Sequence, residues 1–215
     1  MPPRVFKTHL WYEHCPKGGK YIVVFRRPID AVVSYYHFLA DWKFKEGEIS
    51  IDEFIEELIT MRGIPQSKCE NSSIEVFMAS WWPHRNDPNV LLLFYENLVR
   101  DLPAAVGEIC RLMLSKEDED RIRTATEMST REFMLAHSAH FGENLTRKRN
   151  VAMGLAADAG SNACKVRDAS RPKAKPSAKT IASLDEKWRL YVEPVTGFVS
   201  YDEMLAANAP ESKAS

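Results

Sequence analysis

Arg26 and Ser34 have the residue types and the spacing of an anion site. Arg26 directly follows the apolar run YIVVF, and Ser34 lies within an apparent helix that begins near Pro28. Ligands of a parallel sheet bind beyond the carboxyl ends of its strands, where the N–H groups of the next helix favour negative charge. A guanidinium fork and a hydroxyl in that crevice would make a phosphate clamp.

The same residues also allow a purely structural interpretation. Arg26 could pair with a carboxylate, and Ser34 could simply pack. His9 closes another apparent strand and could face the crevice as a base, but a surface or packed histidine is the default interpretation of that residue alone. The pattern itself leaves both alternatives open.

The elements that would position these residues alternate between strands and helices. Strands are predicted for RVFKTH at residues 4–9, for Tyr21–Phe25 as a strand buried on both faces, and for Val90–Tyr95. Apolar spacing predicts helices over Pro28–Phe38, Ile51–Met61, Ile74–His84, Leu102–Met113, Glu117–Glu127 and Thr130–His137. Strands separated by helices indicate an α/β fold with a mostly parallel sheet, and the length of 215 residues suits a single domain, 1–215.

The late part of the chain has a different composition. A long basic loop is predicted over residues 142–182, rich in Ala, Ser, Lys and Pro between Asn150 and Ala182. Eleven Lys and Arg stand against five Asp and Glu between Glu143 and Arg189, which suits an anionic ligand or a solvated loop. The segment LDEKWRLYV is predicted helical, and SYDEMLAA is predicted to open with Ser200 and Glu203 as a capping box.

Composition argues against several classes of protein. No apolar run approaches the roughly 20 residues of a membrane helix, and no signal-peptide pattern opens the sequence. The four cysteines are scattered, which favours reduced thiols and a cytoplasmic location, and no metal-ligand cluster is evident. The basic stretch lacks interleaved aromatic residues and the whole chain has a net charge of −1, so nucleic-acid binding is not expected.

The ordered string of motifs resembles the cytosolic-type sulfotransferases. The segments KTHL, VVFRRPIDAVVSYYHF and LLLFYENL follow one another as in that family, and STREFM, KVRD and VEPVTGFVSYDEM are similar to its later segments. The resemblance implies a P-loop-NTPase-like three-layer α/β/α fold. It also implies transfer of a sulfuryl group from 3′-phosphoadenosine 5′-phosphosulfate to a hydroxyl or amine of a small-molecule acceptor, with no metal and with a possible homodimer.

Residue roles follow from the same resemblance. His9 matches the general base and Lys7 the lysine near the transferring sulfuryl group. The residues that match contacts to the nucleotide are Arg26 and Ser34 at the 3′-phosphate, Tyr95 near the adenosine, Ser129 on the adenine side, and Arg167 in the late basic loop. Such residues suit in-line transfer, where positioning and cationic stabilisation carry most of the rate.

The sequence departs from the family at its start and in its late loop. Family members carry, before the KTH strand, a strand and a loop that wrap the 5′-phosphosulfate, and we expect this chain to be N-terminally truncated with respect to them. The missing strand would leave apolar faces and backbone edges open. The family's glycines after the late arginine are replaced here by residues such as Ala169 and Pro172. An alternative function is therefore a non-catalytic relic or a nucleotide-binding and association module.

Overall fold

The computed structural model describes residues 4–40, 43–44, 47–60, 62–68, 70–114, 118–140, 148–149, 151–154 and 173–209, without the side chains of residues 58, 60 and 139. The strands are β1 (Tyr21–Phe25) and β2 (Val90–Phe94). The α-helices are α1 (Pro28–Ala40), α2 (Ile51–Phe54), α3 (Ile74–Trp81), α4 (Tyr95–Arg100), α5 (Leu102–Leu114), α6 (Glu119–Met128), α7 (Arg131–Ala136), α8 (Ala178–Lys187), α9 (Glu193–Thr196) and α10 (Tyr201–Ala207). Two π-helical segments extend these helices, Ile55–Thr60 after α2 and Trp188–Val192 after α8, and short 3₁₀ turns cover Tyr12–His14, Trp82–His84 and Ser138–His140.

The two strands pair in parallel and form the sheet of the described residues. Tyr21 lies opposite Val90 and Phe25 opposite Phe94, so both strands end at the same edge. Parallel strands require a crossover, and the chain between them supplies the helices from α1 to α3. The predicted α/β class with a parallel sheet is therefore confirmed.

The two faces of β1 differ in burial. Val23 and Phe25 are 4% and 0% exposed, whereas Ile22 and Val24 on the opposite face are 41% and 43% exposed. The prediction of a strand buried on both faces is thus wrong for the second face. A continuous apolar run encodes two faces that can be buried, but burial needs a covering element, and no described element covers Ile22 and Val24.

The strand predicted at residues 4–9 is absent. Residues 4–11 have no regular secondary structure, and β1 pairs within the described part of the chain only with β2. A strand is defined by hydrogen bonds to a neighbouring strand, so a suitable sequence alone does not make one. From Leu10 onward the segment is held by α3 instead: Trp81 Nε1 donates to the carbonyl of Leu10 at 3.3 Å, and the amide of Tyr12 donates to Ser80 Oγ at 3.0 Å.

The helices predicted between residues 28 and 137 are present, and most of their ends shift by one or two residues. Two of them change type along their length: α2 ends at Phe54 and continues as a π-helix to Thr60, and α3 ends at Trp81 and continues as a 3₁₀ turn to His84. The predicted loop over residues 142–182 extends too far, since α8 begins at Ala178. Its N-cap is Ser177, whose hydroxyl accepts from the amide of Thr180 at 3.3 Å. Ile181, Leu184 and Trp188 have the apolar spacing of a helix, but the surrounding sequence is rich in Lys, Ala and Ser and is typical of a loop. The predicted cap at Ser200 is present, since Ser200 Oγ accepts from the amide of Glu203 at 3.2 Å.

Two apolar clusters form the core. The first surrounds the buried face of β1, where Phe25 packs with Trp81, Trp188 and Tyr201. The second joins α1 to the segment 51–59 and includes Tyr36, Phe54, Ile55 and Leu184. The clusters place α8 and the following π-helical turn across both α1 and α3, so the C-terminal third completes the core that the strands begin.

Glu75 is an exception within this core. It lies on the first turn of α3 and is 0% exposed. Neither carboxylate oxygen has a partner with hydrogen-bond geometry in the described part of the chain. Burial raises the pKa of Glu75, and the nearby backbone amide, the Ser73 hydroxyl and the charge of Lys187 oppose that effect only in part. The folded state therefore disfavours the ionised form of this side chain.

We expect Glu75→Gln to stabilise the protein at neutral pH, because a neutral amide removes the cost of burying an ionisable carboxyl, about 1.4 kcal/mol for each unit by which folding raises its pKa. Because the pKa is raised on folding, the contribution of Glu75 is most favourable below its unfolded value near 4.5 and is lost as pH rises through the folded pKa. Urea unfolding should show that the free energy of unfolding falls less between pH 5 and pH 8 for the variant than for the wild type. Glu57→Gln, at an exposed carboxylate, is the control, and equal declines in wild type and Glu75→Gln would contradict the assignment.

Candidate functional site

Arg26 and Tyr95 meet at the carboxyl edge of the sheet. Arg26 follows the last residue of β1 and Tyr95 follows the last residue of β2, and the pairing of Phe25 with Phe94 sets the two residues side by side. The Arg26 guanidinium carbon lies 4.5 Å from the centroid of the Tyr95 ring. A cation over an aromatic face is attracted by the ring quadrupole, so Tyr95 orients the arginine without occupying its N–H donors.

The donors of Arg26 remain available in this arrangement. Its Nε atom is buried and has no hydrogen-bond partner among the described residues. A buried N–H without an acceptor is costly, and an anion placed beyond the strand end would remove that cost. The orphaned donor therefore fits an anionic ligand at this position.

Arg27, the neighbour of Arg26, has a structural role instead. Its guanidinium donates to Asp202 Oδ2 at 2.9 Å and lies 3.4 Å from Asp30 Oδ2. The structural alternative raised for Arg26, pairing with a carboxylate, is thus realised by the next residue along the chain. Among the described residues, Arg26 itself has no carboxylate within ion-pair distance.

Glu96 fixes the strand end that carries Arg26, a role that no pattern in the sequence predicts. Its Oε1 accepts from the backbone amide of Arg27 at 3.1 Å, and its Oε2 accepts from the Tyr201 hydroxyl at 2.6 Å. Burial, followed by the hydrogen bond to Glu96, raises the pKa of Tyr201 far above its ordinary value, so the phenol stays protonated and donates. One carboxylate therefore joins the end of β1 to α10.

Ser34 lies on the second turn of α1, and its side chain is exposed. The first turn of α1 begins at Pro28, two residues after Arg26, so the positive end of the helix faces the same edge as the guanidinium. The exposed hydroxyl and the helix end are compatible with the predicted anion clamp.

His9 and Lys7 lie on the irregular segment that precedes β1, and both are exposed. Partial burial lowers the pKa of His9, and the positive charges of Lys7 and Arg62 lower it further. The imidazole is therefore neutral at neutral pH, which is the protonation state that a general base needs. No pattern in the sequence predicts that Arg62 acts on His9, because the two residues are 53 positions apart and only the fold brings their charges near each other.

The structure does not bring all the predicted residues into contact. Ser129 is exposed at the C-terminal cap of α6, where its amide donates to the carbonyl of Thr126 at 3.1 Å, and no described hydrogen bond or ring contact joins it to Arg26. Arg167 lies outside the described residues. His9 likewise has no described hydrogen bond to Arg26. The contact between Arg26 and Tyr95 is thus the part of the predicted nucleotide site that the structure assembles.

The described residues contain neither a metal-ligand group nor a membrane-spanning helix. No group of three or more His, Cys, Asp and Glu side chains is arranged to hold a metal ion. None of the described helices has both the length and the apolar character needed to cross a bilayer.

Residues 1–168 match the family model described as a sulfotransferase domain. The chain belongs to the sulfotransferase family. Sulfotransferase 6B1 of Danio rerio is 30% identical over 159 residues, which cover 70% of this chain and 52% of that protein. An amine sulfotransferase of Oryctolagus cuniculus is 31% identical over 133 residues, covering 58% of this chain and 42% of its own. This sulfotransferase chain spans about half the length of the curated relatives it matches.

Solved structures show the same fold. The mouse sulfotransferase SULT7A1, crystallised with PAP, superposes with a TM-score of 0.58 at 19% identity, covering 94% of this chain and 69% of that one. Retinol dehydratase in complex with androsterone and inactive cofactor PAP superposes with a TM-score of 0.53, covering 82% of this chain and 48% of that one. At this level of identity the likeness supports the P-loop-like α/β fold of the sulfotransferase chain.

We expect Tyr201→Phe to lower the free energy of unfolding by about 1.5–3 kcal/mol, the usual range for a hydrogen bond to a charged acceptor. The variant leaves Glu96 with one partner and loosens α10 from the strand end. Tyr21→Phe is the matched control, because the Tyr21 hydroxyl donates to a neutral carbonyl, that of Pro16, at an exposed position. Urea unfolding measures both, and an equal loss in the two variants would contradict the importance of Glu96.

Proposed function

We propose that this protein is a sulfotransferase that moves a sulfuryl group from 3′-phosphoadenosine 5′-phosphosulfate to a hydroxyl or amine of a small-molecule acceptor. The observation that carries the proposal is the Arg26 guanidinium, held over Tyr95 with an orphaned buried donor at the carboxyl edge of the sheet. Membership of the family and the PAP-bound sulfotransferase structure of the same fold support it.

The nucleotide site is proposed to form around Arg26. The guanidinium and the Ser34 hydroxyl would bind the 3′-phosphate at the positive end of α1, and Tyr95 would hold the guanidinium in place while lying near the adenosine. Ser129 is proposed as an adenine-side contact and Arg167 as a second arginine at the 3′-phosphate. The bound donor supplies the activated sulfuryl group, whose leaving group is a phosphate.

The acceptor side is proposed to form around His9. Neutral His9 takes the proton from the acceptor hydroxyl or amine as its oxygen or nitrogen bonds to sulfur and the bond from sulfur to the phosphate oxygen breaks. Lys7 lies two residues away and would stabilise negative charge on the sulfuryl oxygens. The lowered pKa of His9 keeps the base unprotonated at neutral pH.

The other features of the family are proposed in the same way. They comprise a single domain over residues 1–215, a cytoplasmic location, an absence of metal from the reaction and a homodimer. The described cysteines, Cys15 and Cys110, are buried and are not joined in a disulfide, which agrees with a reducing compartment.

Calorimetric titration with 3′,5′-adenosine bisphosphate tests the nucleotide site. We expect micromolar binding by the wild type and a loss of roughly 2 kcal/mol or more in Arg26→Ala, since charge-assisted hydrogen bonds in a partly dry site are strong. Arg100→Ala removes an exposed arginine at the end of α4 and should leave affinity unchanged. A folded wild type that does not bind the nucleotide would argue for the non-catalytic alternative, and undiminished binding in Arg26→Ala would remove Arg26 from the clamp.

Replacement of the base should separate chemistry from binding. We expect His9→Gln to abolish transfer while leaving the affinity for 3′,5′-adenosine bisphosphate close to that of the wild type, because His9 would contact the acceptor and not the 3′-phosphate. Transfer is measured with a sulfur-35-labelled donor and a panel of phenols, alcohols and amines. His14→Gln is the control at a nearby histidine, and parallel loss of binding and transfer in His9→Gln would count against a role as base.

A further inference from the structure

The two strand ends are joined at two adjacent positions. Arg26 and Arg27 follow β1, and the corresponding residues after β2 begin with Tyr95. The Arg26 guanidinium carbon lies 4.5 Å from the centroid of the Tyr95 ring. One residue further on, the amide of Arg27 donates to Glu96 Oε1 at 3.1 Å. A side-chain pair and a hydrogen bond therefore lie next to each other across the carboxyl edge of the sheet.

The hydrogen bond to the Arg27 amide also acts on the Arg26 side chain. The peptide unit between the two arginines is planar and contains both the Arg27 N–H and the Arg26 Cα atom. Holding this N–H fixes the plane from which the Arg26 side chain leaves the backbone. Because the Arg26 Nε has no hydrogen-bond partner among the described residues, the direction of the guanidinium depends on that backbone and on the Tyr95 ring.

Tyr201, the first residue of α10, contacts the residues on both sides of Tyr95. Its hydroxyl donates to Glu96 Oε2 at 2.6 Å, and its ring packs against that of Phe94 with the centroids 6.1 Å apart. Tyr201 is itself 5% exposed and packs against Trp188 in the first apolar cluster. A single buried side chain thus holds the backbone before and after the ring on which the Arg26 guanidinium lies.

Asp202, the next residue of α10, contacts the other strand end. Its Oδ2 accepts from the guanidinium of Arg27 at 2.9 Å, and Arg27 is the neighbour of Arg26. The far end of the helix is attached as well, since the side-chain amide of Asn97 on α4 donates to the carbonyl of Asn208 at 3.1 Å. Helix α10 is therefore bound to the residues that follow both strands.

We propose that Tyr201 and Asp202 are positioning residues for the candidate nucleotide site, and that α10 acts by holding the two strand ends at the spacing that keeps Arg26 over Tyr95. The identity of the ligand rests on the proposed function, but the contacts of α10 do not. An arginine that is already held in place loses less conformational freedom when it binds an anion, which favours affinity. The affinity of the site thus depends on a helix whose Asp202 lies 175 positions after Arg27.

Nuclear magnetic resonance of the Arg26 Nε–H group, in the full chain labelled with nitrogen-15 arginine and without nucleotide, tests the positioning itself. A proton above an aromatic face is shifted upfield by the ring, and the resonance is assigned by its loss in Arg26→Lys. Tyr95→Leu gives the position of the resonance without the ring. We expect Tyr201→Phe and Asp202→Asn each to move it toward that position, because the ring and the guanidinium are no longer held at their wild-type spacing.

Tyr36→Phe is the matched control, because the Tyr36 hydroxyl donates to the carbonyl of Ile49 at the same distance of 2.6 Å, within the second apolar cluster. Its loss should lower the free energy of unfolding and leave the Arg26 resonance in place. A Tyr201→Phe chain that is destabilised but keeps the wild-type resonance would assign Tyr201 a purely structural role and overturn the proposal. Asp202→Asn, at an exposed residue, decides the question in the same way if Tyr201→Phe does not fold.

Calorimetric titration with 3′,5′-adenosine bisphosphate separates this inference from the proposed function. We expect Tyr201→Phe to weaken binding about fivefold in an otherwise wild-type chain and to have no further effect in a Tyr95→Leu chain, because the helix acts through the same pair and the two losses cannot add. Equal losses in both backgrounds, or no loss in either, would overturn the positioning role and leave the nucleotide site in place. A wild-type chain that binds no nucleotide but shows the expected resonance shifts would lose the proposed function and keep the positioning role.

Discussion

The parallel pairing of β1 with β2 is the constraint on which the rest of the structure depends. Because both strands end at the same edge, the residues that follow them, Arg26 and Tyr95, are brought within 4.5 Å. A shift of one residue in this register would move the buried and exposed side chains of β1 to opposite faces. The burial of Phe25 within the core therefore sets the position of Arg26 at the site as well.

Polar contacts hold the end of β1, and they involve Arg27 but not the adjacent Arg26. Glu96 and Asp202 bind the amide and the guanidinium of Arg27, and Tyr201 completes the network from α10. Arg26 is left with an aromatic partner and an orphaned donor. The contacts that hold the backbone of Arg27 therefore also orient the neighbouring Arg26, which is proposed to bind the ligand.

The C-terminal third supports the strand end that carries Arg26. Helix α10 supports the strand end through Tyr201, and Lys187 on α8 donates to the backbone carbonyl of Arg62. Ser177 and Thr180 at the start of α8 also donate to the carboxylate of Asp52, which binds this helix to α2. Helices α8 and α10 therefore support residues that lie far earlier in the chain.

The sequence by itself determined the strands Tyr21–Phe25 and Val90–Phe94, most helices and the motif string that indicates the family, because these depend on local apolar spacing and residue identity. Tertiary structure decided the rest. Residues 4–9 have strand composition, but a strand needs a neighbour to supply hydrogen bonds, and none of the described residues does so. Glu96, Arg62 and Lys187 gave no signal either, because each acts on a partner that only folding brings within reach.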